Sequence, residues 1–105
     1  MDTKETAASV PRVSLKTLSK VFATPERMRI LRELAKGESL MTKELSARCK
    51  LLQSNTTKHL RILRESGIVL RGRANLYSIN PIHLVPGQPG HIDLGTCLFR
   101  LVDAD

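Results

Sequence analysis

One segment narrows the choice of fold more than any other, the run SNTTKHLRILRES at residues 54–66. At about 100° per residue, Thr56, Leu60, Leu63 and Gly67 fall on one side of a helix. Ser54, Lys58, Arg61 and Glu65 fall on the opposite side, flanked by Asn55 and Thr57. One face is a core face, and the other is a row of short polar groups and cations. The major groove of duplex DNA admits a helix of this width, and its base edges are read by such side chains. By itself the pattern describes any solvated amphipathic helix, so its neighbours in the chain decide.

Those neighbours are informative. Residues 1–12 are read as a flexible N-terminal arm that holds acids and no apolar run, unlike a secretory signal. Val13, Leu15, Leu18, Val21 and Phe22 are compatible with a first amphipathic helix. Thr24-Pro25-Glu26 is a strong helix start: a capping hydroxyl, a proline at the first helical position and an acid at the positive helix end. Gly37 supplies the stop. Thr42 is expected to cap a third, short helix with Met41, Leu45 and Cys49 on one face. A tight connection, Lys50-Leu51-Leu52-Gln53, leads into the fourth. Gly67 ends that helix, and Ile68-Val69-Leu70 and Leu76-Tyr77-Ser78-Ile79 read as two strands around the turn-forming Gly72 and Asn75.

The 105 residues carry a net charge of +7, which suits a phosphate backbone or an anionic surface. Residues 54–73 hold five bases, Lys58, Arg61, Arg64, Arg71 and Arg73, against the single acid Glu65. Aromatic residues are only 3% of the chain, which argues against base-stacking platforms for single strands or RNA. No stretch is long and apolar enough to span a membrane, and two separated cysteines are no disulfide framework. A cytoplasmic location is expected.

From Thr24 to Pro81 the residues resemble the ArsR/SmtB family of winged helix-turn-helix transcriptional repressors. TPERMRILREL is similar to that family's helix before the motif, and LMTKELSARCKLLQSNTTKHLRILRESGIV to its helix-turn-helix. The Lys58-His59-Leu60 step, Leu63-Arg64-Glu65-Ser66-Gly67 and the exit LYSINP carry the likeness further. The resemblance implies a mainly α fold with a small β wing over residues 13–80, and a homodimer on a pseudo-palindromic operator of double-stranded DNA. It places groove-facing positions at Gln53, Ser54, Asn55, Thr57 and Lys58. Asn55 suits an adenine edge, Lys58 a guanine or a phosphate, and Arg61 a phosphate. Arg71 and Arg73 would touch backbone or minor groove from the wing, and His59 is expected to be structural.

The chain also departs from that family. Leu52 stands where a capping serine is common, so Ser54 is the expected cap of a later-starting helix. The wing is short. Met41-Thr42-Lys43 replaces the cysteine pair of arsenic-sensing members, and IHLVPGQPG rules out the long C-terminal helix that carries zinc ligands in others. No metal site or cofactor is expected, and no effector is indicated. His91, Asp93 and Cys97 match no strong zinc spacing. Cys49 reads as a core residue; Cys49 and Cys97 are the two candidates for a redox switch. His83 suggests nothing. No catalytic constellation is present, so the expectation is a protein that is not an enzyme.

Residues 81–105 read as a Pro/Gly linker and a C-terminal strand, with a candidate role in dimerisation. Ile92 and Leu94 alternate on one phase and Cys97, Phe99 and Leu101 on the other, with Gly95 at the change. A strand over 91–102 would complete either its own domain or a dimer. The competing reading of the whole is a winged helix used as a protein-interaction module, its basic face meeting an acidic partner.

Overall fold

The computed structural model describes residues 12–101, so the expected arm over 1–12, apart from its last residue, and the last four residues lie outside the described residues. Four helices come first: α1 (Leu15–Val21), α2 (Pro25–Leu34), α3 (Thr42–Cys49) and α4 (Gln53–Glu65). Two antiparallel hairpins follow, β1 (Val69–Arg71) with β2 (Tyr77–Ile79) and β3 (His91–Asp93) with β4 (Leu98–Arg100). Leu40 bridges to Tyr77 through a reciprocal pair of backbone hydrogen bonds, which adds a third, minimal strand to the wing. The architecture is a mainly α winged helix-turn-helix.

Local chemistry explains most boundaries. The Thr24 hydroxyl accepts from Arg27 N–H at 3.3 Å and Pro25 opens α2, as expected. Gly37 and Gly67 take φ +100° and +84° just past α2 and α4, a region where side chains are strained. The expected Thr42 cap is not formed. Met41 is the cap residue of α3, and the Glu44 carboxylate reaches back to accept from its N–H at 2.9 Å. Glu44 satisfies the cap residue's own N–H, the half of a capping box that an acid supplies, and no side chain takes the place of the expected hydroxyl.

Leucine and isoleucine side chains from all four helices and both hairpins meet in one core. Ile30, Leu31, Leu34, Leu45, Leu60, Leu63, Ile68, Ile92 and Leu94 are fully buried. Each such side chain contributes roughly 1.5–3 kcal/mol relative to exposure. The C-terminal strand expected over 91–102 is instead a hairpin, because Gly95 at φ +78° reverses the chain. It packs on its own chain: Leu94 O accepts from Val13 N–H at 2.9 Å, and Ala35 O from Gly90 N–H at 2.9 Å. Phe99 of β4 stacks on Phe22 after α1, with centroids 4.4 Å apart.

His83, unremarkable in the sequence, lies in this joint. It is 3% exposed and its Nδ1 stands 2.9 Å from Asp93 O. A carbonyl only accepts, so Nδ1 carries the proton and donates.

Candidate nucleic-acid interface

Helix α4 begins at Gln53, one residue before the expected start, with Leu52 as its cap residue and no capping side chain. The expected role of Ser54 as cap is therefore overturned: Ser54 is already in the first turn. The uncapped first turn leaves backbone donors and the positive end of the helix dipole facing outward, a setting that suits phosphate oxygens. Two threonines follow. Thr56 is fully buried and its hydroxyl donates to Leu52 O at 3.0 Å. Thr57 is exposed and donates to Gln53 O at 3.0 Å.

The two faces separate as the periodicity predicts. Thr56, Leu60 and Leu63 are all at 0% exposure. Gln53, Ser54, Asn55, Thr57, Lys58 and Arg61 are all exposed. Burial of the inner face therefore fixes which side chains look outward, and it does so at spacings of about four and three residues.

The wing supplies the second basic element. Both Arg71 and Arg73 are exposed, yet they differ in a way the sequence does not announce. Arg71 directs Nε and Nη2 at the Asn75 Oδ1, at 3.0 and 2.5 Å, and so closes the tip on itself. Ala74 and Asn75 hold φ +57° and +58° inside that clamp, conformations that strain a side-chain-bearing residue. The Arg73 guanidinium makes no contact of this kind among the described residues and is the freer cation of the two.

A residue that sequence reasoning missed holds α4 against the rest. Arg27 is 7% exposed; its Nε donates to Val21 O at 3.0 Å and its Nη2 to Lys20 O at 2.7 Å. Its Nη1 meets His59 Nδ1 at 3.1 Å. An arginine only donates, so His59 Nδ1 is the acceptor and that ring nitrogen is unprotonated. One guanidinium thus ties the C-terminal carbonyls of α1 to α4. Burial, then the Arg27 charge, holds His59 below the usual imidazole value, with Glu26 opposing.

The two cysteines are placed apart in character. Cys49 is 3% exposed at the end of α3, and burial pushes its thiol up, with Glu33 adding to the effect. Its carbonyl accepts from Arg29 Nη1 at 3.0 Å. Cys97, in the β3–β4 turn, is half-buried. Both thiols are free, and among the described residues no group of three metal-ligating side chains gathers. No described helix is long and apolar enough to cross a membrane.

A family model described as a helix-turn-helix domain matches residues 22–71, from the end of α1 through the first wing strand. No curated protein matches the chain. The matched stretch contains α2, α3, α4 and β1, and supports a DNA-binding regulator of the winged helix-turn-helix class.

Proposed function

We propose that the chain is a sequence-specific, double-stranded DNA-binding transcriptional repressor, acting as a homodimer on a pseudo-palindromic operator, of the ArsR/SmtB type that it resembles. The observation that carries this reading is the exposed row Gln53, Ser54, Asn55, Thr57 and Lys58 on a helix whose other face is fully buried. Base edges are read from the helix, while Arg61 and the wing cations Arg71 and Arg73 hold phosphates and set the register. The protein is not an enzyme in this reading; its chemistry is recognition. Cys49, buried with its thiol raised, is the weaker redox candidate, and Cys97 the more accessible one.

A second reading has one observation in its favour. Leu52 is 70% exposed at the entry to α4, and Met41 42% exposed before α3, so an apolar spot borders the basic row. A protein partner would use such a spot. Enrichment of genomic fragments on the purified protein separates the two. Recovery of one palindromic sequence supports the repressor; absence of any enriched sequence supports the interaction module and sinks the first reading.

A further inference from the structure

A second site lies away from the reading face, where the helix-turn-helix body meets the C-terminal hairpin. Pro25, Met28, Arg29 and Arg32 share one face of α2, Met28 and Arg29 each lying three or four residues from both Pro25 and Arg32. Across from them stand Arg100, the last residue of β4, and Leu101 after it. Together these six line a cavity of about 470 Å³. Pockets for small organic ligands span about 300–1,000 Å³, so the space suits one compact molecule.

The lining has two characters. Met28 packs against the core and Leu101 is 8% exposed, which makes an apolar floor. The walls are arginines from two different elements, α2 on one side and β4 on the other. The Arg100 guanidinium is exposed and makes no hydrogen bond or ion pair among the described residues. Arg29 commits Nη1 to Cys49 O and keeps further N–H groups. A bare inorganic anion would leave the floor in contact with water, and a neutral apolar molecule would leave the Arg100 fork without an acceptor. A carboxylate joined to a compact apolar body satisfies both, and its planar fork matches guanidinium geometry.

The Arg29 bond gives such a ligand a route to the reading helix. Cys49 O is the last carbonyl of α3; Lys50 follows at φ +57°, and α4 starts at Gln53. A ligand that re-aims the Arg29 guanidinium changes the hydrogen bond at the turn between the two helices of the motif.

We propose that the groove between α2 and β4 binds a small organic carboxylate with an apolar body, and that its occupancy is passed to the helix-turn-helix through Arg29. The coupling half rests on the DNA-binding reading above; the binding half does not.

Calorimetric titration of the full chain with benzoate, phenylacetate and hexanoate tests the site without DNA. Saturable one-to-one binding of at least one of them is expected, at least about tenfold weaker in Arg100→Gln, because a charge-assisted fork is lost. Benzyl alcohol and inorganic phosphate are expected to bind more weakly by a similar factor. No saturable binding by any of the three carboxylates, equal binding in Arg100→Gln, or phosphate matching the carboxylates would each overturn the site. For coupling, the bound carboxylate is expected to change DNA affinity in the wild type and not in Arg100→Gln. Carboxylate binding with unaltered DNA affinity, in protein that does bind DNA, would overturn the route through Arg29. A loss of DNA affinity in ligand-free Arg100→Gln would overturn the ligand site in favour of a DNA backbone contact.

Discussion

The molecule carries two hairpins with strands of three residues each; both reach the core at their bases, and their tips are held in opposite ways. In the wing, every residue from Leu70 to Asn75 is exposed, and its tip carries Arg71 and Arg73. In the C-terminal hairpin, Ile92 and Leu94 are fully buried, and backbone bonds run to Val13 and Ala35. The wing is anchored at its base, where Val69, Tyr77 and Ile79 are buried and Tyr77 bridges Leu40, and its tip closes on itself through Arg71 and Asn75; the tip of the other hairpin is bonded to Val13. The same local structure stands out from the body in one place and closes it in the other. What separates them is the tether of the tip: self-contained in the first, long-range in the second.

The comparison breaks most easily at Leu94. Leu94→Ala is expected to cost about 2–5 kcal/mol of stability, the range for a fully buried leucine. Arg73→Ala in the wing should stay within about ±0.5 kcal/mol, as surface changes do. Urea denaturation of both variants measures the contrast, and similar losses would erase the distinction. Arg27→Met comes next. It strips Val21 O and Lys20 O of side-chain donors and should cost on the order of 1–3 kcal/mol, read from the same midpoints.

On DNA the order reverses, and the wing becomes the sensitive hairpin. Arg73→Ala should weaken binding to all sequences alike and lower the salt slope by about one. For the wild type, affinity should fall by roughly 10³–10⁵ between 50 and 200 mM salt if six to ten phosphates are held. Asn55→Ala and Lys58→Ala should instead lose about 1–3 kcal/mol of discrimination between cognate and altered sites, in competition band shifts. Altered specificity from the wing changes alone would exchange the roles assigned to helix and wing.

The smallest effect belongs to His59. Its proton affinity is depressed in the fold, so below pH 6.5 the unfolded chain binds more protons than the folded one. Stability is therefore complete above that value and is lost as the pH falls towards the lower native one. A shallow decline between pH 7 and 5.5, flattened in His59→Gln, is expected in thermal melts.

How far the sequence was legible follows from how local each cause is. Thr56, Leu60 and Leu63 declare their face through spacing alone, and the cations opposite follow from it. The caps at Thr42 and Ser54 were misplaced because the cap positions of both helices fall earlier than those residues, at Met41 and Leu52, with no side chain capping either first turn. The reversal at Gly95 was visible as a change of phase, but phase alone does not tell a bend from a full turn. Arg27 and His83 gave no signal at all. Apart from His59, which meets Arg27, their partners are backbone carbonyls of other elements, and a carbonyl has no letter in the sequence.

The seam at Val13 has a consequence for how the protein comes into being. Val13 O accepts from the Thr96 hydroxyl, a partner 83 positions along the chain. Synthesis runs from the N-terminus, so helix, turn and wing can all assemble before either Leu94 or Thr96 exists. Closing so long a loop adds only about 0.6 kcal/mol per doubling of length, but long-range closures of this kind are the slow steps of folding. The seam is therefore the last stitch. A chain interrupted after the wing would carry the exposed row of α4 on a body whose first helix is tied at its C-terminal end by Arg27 and still open at Val13, and only a chain that has reached the second hairpin can close that end.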